Sequence, residues 1–450
     1  MKTCFLKIVP VVLLLCASHF VLHSQNEFKS GNVLLKGGNL LTISHGDMEE
    51  TDLLIMDGKI AEIGKDLNPP RNIPVLDVSG MYVMPGIVDA HSHVGLDAVN
   101  EATNPITAEV RIADVINPYD IALYHALAGG VTVSHAMHGS ANVIGGQNQT
   151  IKHRYGTQDP NELIMEGAAR TIKFALGENP MRVHGEGAGI IPNTRMGVET
   201  VIRQGFDEAL QYRRDWEKYA DHKENGIISK PPVYDLRLEA LLEILDGEIM
   251  IHCHSYRSDE IYMLMQVCKD YGVKDLVFQH VNEGFKVAPE LAEFGAMASV
   301  FSDWWAYKFE VYYSTAYNTT ILAKNGVITS VNSDSRELIR HLYLEAAKAQ
   351  RYGQLSDSET LKLITLNPAI QLGIADRVGT LEVGKDGDVA VFNAHPLSIY
   401  AIPQYTFVDG IKYFDCTEDP PDMRVLIDIS DDLNNFMELQ SGRGDHECLH

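Results

Sequence analysis

Two histidines, His91 and His93, stand at the end of a short apolar run that contains Ile87 and Val88. Side chains two residues apart on a β-strand point to the same face, so the two imidazoles are expected to converge. Converging neutral imidazoles form half of a site for zinc or a similar divalent ion, because nitrogen donors of intermediate softness suit these metals. A chance pair is the alternative, since the chain holds 18 histidines in 450 residues.

Further candidate ligands stand within or just beyond other apolar runs, where predicted strands end. In chain order these are Lys173, His252, His280 and Asp334. Histidines that hold one or two divalent ions make bound water nucleophilic near neutral pH. Asp334 is predicted to bind the metal and to act as the catalytic group that moves the proton of this water. A lysine among such ligands is costly as a cation, but a carbamylated Lys173 would be an anionic oxygen ligand that bridges two metals.

The elements between these residues alternate short apolar strands with amphipathic helices, which is typical of βα units. The stretch from Pro85 to Asp334 is about 250 residues long, a usual length for a (β/α)8 barrel. In such a barrel the C-terminal ends of the strands converge on one mouth, where active sites are built. The expected strands are 86–90, 131–134, 149–153, 170–175, 247–252, 276–280, 296–301 and 327–331.

Both flanks of this region are rich in short strands, at 27–84 and again at 373–418. Asp57-Gly58 between two apolar runs predicts a tight hairpin in the first flank. We therefore predict an α/β fold in which a (β/α)8 TIM barrel at 85–372 carries a small composite β-sandwich domain built from both chain ends. Residues 419–450 are expected to form an acidic, loosely ordered tail.

The first residues, 1–24, have the pattern of an export signal. Lys2 and Lys7 precede the apolar stretch 8–15, and a polar segment with small residues follows. This predicts a secreted or periplasmic protein with no membrane span after signal removal. Lipidation at Cys16 is left open. The net charge of −24 argues against nucleic acid as a partner, and an oligomer is compatible with the sequence.

Several motifs resemble the amidohydrolase superfamily. They are the run 85–93 with its His-x-His pair, the segment 128–132, the strand-end histidines, Asp334, and the late segments 367–373 and 379–388. The resemblance extends from about residue 30 to 415. The segments 139–147 and 173–180 are similar to the exported, imidazolonepropionase-like branch. The resemblance implies a metal-dependent hydrolase, with a (β/α)8 barrel and a composite β-sandwich, that cleaves C–N bonds in amides, cyclic amides or amidines.

The ligand on the fourth strand differs among the branches that the chain resembles. The resemblance to imidazolonepropionases implies a site for one metal ion without a bridging lysine. The resemblance to prolidase-like proteins implies a site with a carbamylated lysine. Lys173 matches the fourth-strand position and is favoured. Lys152 competes with it, and Glu178 could bind as a carboxylate does in sugar-phosphate deacetylases. The sequence therefore leaves open whether the site holds one metal ion or two.

The residues that bind the substrate are harder to predict from the sequence than the metal ligands. Arg195, Tyr256, Arg257 and Arg336 are predicted to hold a substrate carboxylate, which suits the planar fork of arginine; surface salt bridges are the alternative. Supporting roles around the metal or at the mouth are predicted for His254, Gln147 and His138.

The function predicted from these residues is an exported metal-dependent amidohydrolase that uses Zn2+ or a similar divalent ion. Its expected partner is a small amide, cyclic amide or dipeptide-like substrate that carries a carboxylate. A metal-dependent deaminase of the same superfamily is the alternative among enzymes. A catalytically silent small-molecule binding protein on the same barrel is the alternative from another class.

Overall fold

The chain has a mixed α/β fold, and the computed structural model describes residues 28–305 and 307–419. The strands are β1 (Val33–Leu41), β2 (Asp47–Met56), β3 (Lys59–Gly64), β4 (Val75–Asp77), β5 (Tyr82–Pro85), β6 (Ile87–Ser92), β7 (Val131–Ala136), β8 (Ile144–Gln147), β9 (Gln149–Lys152), β10 (Thr171–Ala175), β11 (Met250–Ser255), β12 (Leu276–His280), β13 (Met297–Val300), β14 (Thr329–Val331), β15 (Val389–Phe392), β16 (Pro403–Val408) and β17 (Ile411–Asp415).

The α-helices lie mainly between the strands of the middle region. They are α1 (Ile121–Ala128), α2 (Glu178–Met181), α3 (Arg195–Glu224), α4 (Leu236–Leu245), α5 (Ser258–Tyr271), α6 (Ala288–Phe294), α7 (Asn318–Lys324), α8 (Leu342–Gly353), α9 (Asp357–Lys362) and α10 (Leu366–Gln371). Short 3-10 helices occupy Ile112–Val115, Pro160–Leu163, Gly284–Lys286, Phe309–Val311 and Leu338–His341, and a π-helix occupies Arg182–Ala188. None of the helices in the described ranges combines the length and apolar character needed to cross a bilayer.

One eight-stranded sheet combines strands from both flanks of the chain. Its order is β17-β16-β15-β5-β1-β2-β3, with β4 beside β1. β5 and β15 pair antiparallel, with Pro85 opposite Val389, and this pairing joins the two flanks. The predicted hairpin turn is present: Asp57 and Gly58 connect β2 to β3 with φ angles of 50° and 75°, and left-handed backbone at both positions is what such a turn requires.

Seven strands in the middle of the chain run parallel to their neighbours and carry most of the candidate site. β6 pairs with β7 in one sheet, and β10 to β14 pair in sequence in another. Phe174, Ile251 and Phe278 are fully buried in the main apolar core. Strands buried on both faces explain the near-continuous apolar runs of this region.

The third predicted strand runs in the opposite direction from the one that βα units require. β8 pairs antiparallel with β10, β9 pairs antiparallel with β7, and Asn148 alone separates β8 from β9. Seven residues connect β7 to β8, fewer than the dozen or so of a parallel crossover, so the chain folds directly back. The end of β9 therefore lies at the edge opposite the C-terminal ends of β7 and β10.

The last parallel strand meets the first one through side chains and backbone just beyond β14. The backbone N–H of Asp334 donates to the carbonyl of His91 over 3.1 Å. The backbone N–H of Ser333 donates to the buried carboxylate of Asp89 over 3.2 Å, and its hydroxyl donates to the same group. These bonds hold Asp334 beside the end of β6. The predicted export signal and most of the predicted tail lie outside the described residues.

Candidate metal centre

Three histidines surround the carboxylate of Asp334 at the C-terminal ends of the parallel strands. The Nε2 atoms of His91 and His93 lie 3.4 and 3.2 Å from its Oδ1 atom. The Nε2 atom of His280 lies 3.7 Å from Oδ2. Ligand atoms of His91, His280 and Asp334 all fall within 4.8 Å of one another. Four of the six residues predicted to bind metal are thus brought together at one point.

Hydrogen bonds on the far side of two rings fix how these rings face the carboxylate. The Nδ1 atom of His91 donates to Oε1 of Gln279 over 3.1 Å, and Nδ1 of His93 donates to the carbonyl of Met137 over 2.9 Å. A neutral imidazole that carries its proton on Nδ1 has its lone pair on Nε2. With this tautomer, the neutral form of each ring would carry on Nε2 the lone pair that a metal ligand needs.

The backbone is left-handed at two of these residues, with φ of 69° at His280 and 42° at Asp334. Alternation along a strand would send the side chains of Gln279 and His280 to opposite faces. The left-handed backbone at His280 lets the side chains of both Gln279 and His280 face the site. Such conformations cost about 1–3 kcal/mol each and persist only where surrounding contacts enforce them. The bonds beyond β14 supply that enforcement for Asp334.

Lys173 lies beside this cluster on β10. Its side chain is fully buried, and its Nζ atom is 3.2 Å from Nε2 of His91. The two alternatives for the fourth-strand ligand lie elsewhere. Lys152, at the end of the reversed strand β9, forms ion pairs of 2.5–3.0 Å with Asp386, Asp388 and Asp409. The carboxylate of Glu178 pairs with Arg182 at 3.0 Å.

The sequence predicts that β11 ends at His252, but the strand continues to Ser255. His252 consequently lies deeper, with its ring 4.5 Å from that of His135 and its Nδ1 atom 3.0 Å from the Gln279 amide. His254 lies nearer the cluster, because its ring centroid is 4.7 Å from that of His280. Neither ring nitrogen of His254 has a hydrogen-bond partner among the described residues. The Nε2 atom of His252 is likewise buried without a hydrogen-bond partner in the described ranges, so both histidines of this strand stay candidate ligands.

Burial and the charges within the cluster shift the pKa values of the site residues. Burial lowers the pKa of His280 to about 3 and the pKa values of His91 and His254 well below the usual histidine range. Burial alone would raise the pKa of Asp334, but His91 and the other histidines hold it well below its usual range. Neutral imidazoles beside a carboxylate are the forms that bind a divalent ion.

The ring nitrogens of His280, like those of His254, are buried without a hydrogen-bond partner in the described ranges. An unpartnered buried polar atom costs about 1–3 kcal/mol, and a coordinated ion would satisfy such nitrogens. The donor set of imidazole nitrogens and a carboxylate oxygen therefore fits zinc or a similar divalent ion.

Aromatic side chains and one lysine line the approach to the histidines. Tyr256 stacks on His280 with 5.4 Å between centroids, and Phe301 stacks on the same ring at 4.5 Å. The Nζ atom of Lys308 lies 4.3 Å from the Tyr256 ring centroid and 3.1 Å from Oδ1 of Asn179. Lys308 was not among the residues predicted to line the site. Its place in the loop after β13 was the available signal, because such loops form the active-site face of a barrel.

The three arginines predicted to bind a substrate carboxylate are paired with carboxylates of the chain. Arg195 contacts Glu260 at 2.9 Å and Glu310 at 2.6 Å. Arg336 forms a two-pronged pair with the buried Asp120, and Arg257 pairs with the exposed Asp259. Tyr256 alone, among the four predicted substrate residues, contacts the histidine cluster. Each of the three arginines is thus paired within the chain, and its contact with a substrate carboxylate stays a prediction.

The predicted supporting residues His138 and Gln147 hold loops. Nε2 of His138 accepts from the N–H of Glu101, and Nδ1 donates to the carbonyl of Gly139, both over 2.9 Å. The side chain of Gln147 donates to the carbonyl of Ala108 over 3.2 Å and accepts from Arg170. The ring nitrogens of His138 and the side-chain amide of Gln147 are thus used in hydrogen bonds within the chain.

Comparisons with known proteins identify the family of this chain. A family model described as "Amidohydrolase family" matches residues 314–425. The chain is similar to a solved amidohydrolase structure from Thermotoga maritima, with 33% identity, a TM-score of 0.78, and coverage of 85% of this chain and 100% of that one. It is 31% identical over 394 residues to amidohydrolase tasK of Hapsidospora irregularis, covering 81% of this chain but 40% of tasK.

A third similar protein is the D-hydantoinase of Rhizobium radiobacter, at 23% identity over 432 residues. The aligned residues cover 85% of this chain and 90% of the hydantoinase. The full coverage of the Thermotoga protein at 33% identity, together with the family match, decides the assignment. The chain belongs to the amidohydrolase family.

Proposed function

We propose that this chain is an exported, metal-dependent amidohydrolase that opens an amide or cyclic amide bond in a small anionic substrate. The observation that carries the proposal is the convergence of three histidines on the Asp334 carboxylate, at 3.2–3.7 Å. The predicted (β/α)8 barrel with its composite β-sandwich is part of the proposal, supported by the parallel strand order and the bonds between β6 and the residues after β14. Export rests on the sequence of residues 1–24.

The proposed metal ligands are His91, His93, His252, His280 and Asp334, with Lys173 and His254 beside them. A bound divalent ion, with zinc expected, would activate water and polarise the carbonyl of the substrate. Asp334 accepts a proton from the attacking water and passes it to the departing nitrogen. Tyr256 and Phe301 enclose the ring of His280 and keep bulk water from this side of the reacting atoms. The likeness to a hydantoinase supports a cyclic amide as one substrate class to test.

Lys173 gives the first testable prediction, because a carbamate on Nζ would lie next to His91. Replacing Lys173 with alanine should remove one ion of a bridged pair, and bicarbonate should speed reconstitution of the parent protein but not of the variant. Metal content by mass spectrometry after chelation and reloading measures this. Lys274→Ala, which changes an exposed lysine, is the control. An unchanged metal content in Lys173→Ala would exclude the bridging role.

Lys308 gives the second prediction, since its ammonium group lies near the cluster, between the Tyr256 ring and Asn179 and 3.7 Å from the carboxylate of Glu310. We propose that it contacts the anionic group of the substrate. Lys308→Met should raise KM about 10- to 100-fold for a carboxylate substrate, the effect of losing a charged hydrogen bond. The same change should leave KM for the corresponding carboxamide nearly unaltered.

Lys286→Met is the matched control, because Lys286 also lies over a tyrosine ring, that of Tyr313 at 4.5 Å, and pairs with Glu283. It should leave both KM values unchanged. Equal effects of Lys308→Met on the charged and the neutral substrate would contradict the assigned contact.

The proposed function itself is tested with metal-loaded protein and a panel of N-acyl amino acids, dipeptides, hydantoins and dihydropyrimidinones. Hydrolysis is followed by the appearance of a free amino acid or ring-opened acid, and should disappear on chelation and return with zinc. Release of ammonia in place of these products would favour the deaminase alternative. Tight metal and ligand binding without turnover across a broad panel would favour the silent binding protein.

A further inference from the structure

The loop after β13 carries a buried carboxylate among exposed aromatic rings. Phe309 and Tyr312 are 84% and 69% exposed, whereas the side chain of Glu310 between them is 1% exposed. Burying a charged carboxylate is costly unless it is paired and hydrogen-bonded. The contacts that Glu310 makes therefore hold this part of the loop in place, and Lys308 lies only two residues earlier.

The residues that follow β10 build the place where this carboxylate lies. Its Oε1 atom accepts from the backbone N–H of Glu178 over 2.8 Å and from Arg195 over 2.6 Å. Gly177, whose φ is 78°, leaves the space for it, because a Cβ atom there would lie 2.3 Å from the same oxygen. Arg195 also pairs with Glu260 on α5 at 2.9 Å. Glu310 thus joins the loop after β13 to α2 and, through Arg195, to α3 and α5.

Lys308 is the second residue of this loop that reaches α2. Its Nζ atom donates to Oδ1 of Asn179 over 3.1 Å and lies 3.7 Å from Oε2 of Glu310. The second distance is too long for a hydrogen bond. Because the guanidinium group of Arg195 offsets the negative charge of Glu310, it weakens the attraction between this carboxylate and Lys308.

We propose that Glu310 and Arg195 are positioning residues for Lys308. Glu310 holds the loop that carries the lysine, and Arg195 offsets the charge of Glu310, so that the charge of Lys308 is directed to an anionic substrate. The inference rests on the proposed function, in which Lys308 contacts the substrate. It gives Arg195 a role that acts through Lys308, in contrast to the direct contact with a substrate carboxylate that the sequence predicts.

Kinetics of the full-length, metal-loaded protein test this inference, with the best carboxylate substrate of the panel and its carboxamide. Glu310→Leu and Arg195→Met should each raise KM for the carboxylate by up to about 10- to 100-fold, as for loss of the Lys308 contact itself. Because this contact forms in the ground state and the transition state alike, kcat should stay near that of the parent. KM for the carboxamide should change little. Glu310→Gln should stay close to the parent, because its amide oxygen still accepts from the N–H of Glu178.

Arg203→Met is the matched control for Arg195→Met. Arg203 also lies on α3, is 34% exposed against 33% for Arg195, and bridges two carboxylates, those of Glu199 and Asp270, at 2.9 Å each. Its replacement should leave both KM values unchanged. Equal effects of Glu310→Leu on the charged and the neutral substrate would overturn the inference, since they would show a general structural role.

A double substitution separates the indirect role of Arg195 from a direct contact. In a Lys308→Met background, Arg195→Met should raise KM for the carboxylate no further, because its effect passes through the missing lysine. Additive effects of the two substitutions would show that Arg195 contacts the substrate itself, and would overturn the inference.

Cleavage by trypsin after Lys308, followed by mass spectrometry of the folded protein, gives a readout that needs no turnover. Glu310→Leu should be cleaved at this bond about 10- to 100-fold faster than the parent, the change in open population expected when hydrogen bonds to a charged group are lost. Arg203→Met should be cleaved there at the parent rate. Unchanged cleavage of Glu310→Leu would overturn the inference. The proposed function fails separately, if the parent hydrolyses nothing in the panel while Glu310→Leu still exposes Lys308 to trypsin.

Discussion

Replacing Asp334 with asparagine is expected to lower kcat by about 10²–10⁴-fold, the usual contribution of a group that transfers protons in the transition state. Asparagine keeps the size of the side chain and the backbone bond to His91, but it cannot take a proton from water. The effect should appear equally in kcat and kcat/KM, since the lost interaction belongs to the transition state. Steady-state kinetics on the best substrate, with metal content measured in parallel, provide the readout.

Asp303→Asn is the matched control for this substitution. Asp303 also follows a parallel strand, β13, but its carboxylate pairs with Lys348 at 3.1 Å. Its replacement should leave kcat close to that of the parent. If Asp334→Asn retained kcat within tenfold of the parent while fully loaded with metal, another group would have to move the proton.

Replacing Lys152 with methionine is expected to lower the free energy of unfolding by about 3–5 kcal/mol, as is usual when one partner of a buried ion pair is removed. The lysine is fully buried among three aspartates, two of which, Asp386 and Asp388, are 3% exposed. Methionine fills the space but leaves these carboxylates without their central cation. Unfolding by urea, followed by circular dichroism, measures the loss.

Lys59→Met is the control, because Lys59 pairs with the same Asp386 from the surface, where its side chain is 51% exposed. An ion pair whose lysine lies in solvent contributes about 1 kcal/mol or less, and Asp386 keeps Lys152 as a partner, so this variant should unfold close to the parent. Similar losses in the two variants would show that burial does not decide the strength of the Lys152 pairs.

Much of the site could be predicted because strand ends are visible as apolar runs with a polar residue at the end. β12 ends at His280 as predicted, and the i, i+2 spacing correctly placed His91 and His93 on one side of Asp334. The choice of His252 over His254 as the metal ligand stays a prediction, because β11 continues past His252 to Ser255. Both lie on one face of β11, and the deciding quantity is where the strand stops, which is the least visible property of a sequence.

Other features depend on partners far away in the chain and left no local signal. The reversed direction of β8 and β9 follows from a short connection, and it carried Lys152 away from the mouth. The roles of Arg195 and Arg336 depend on Glu310 and on Asp120, which lie more than 100 residues away in the sequence. A pairing of that kind cannot be read from the arginine alone, because any surface arginine has the same local pattern.

The pairing of β5 with β15 also sets the order in which the chain can complete its fold during synthesis. About 300 residues separate these strands, and ribosomes add about 5–20 residues per second. For about 15–60 seconds the edge of β5 has no strand to receive its hydrogen bonds, and open edges of this kind favour pairing with other chains. The first sheet of the chain is therefore among the last parts to close, and the nascent protein depends on its surroundings to shield that edge until residues near 390 emerge.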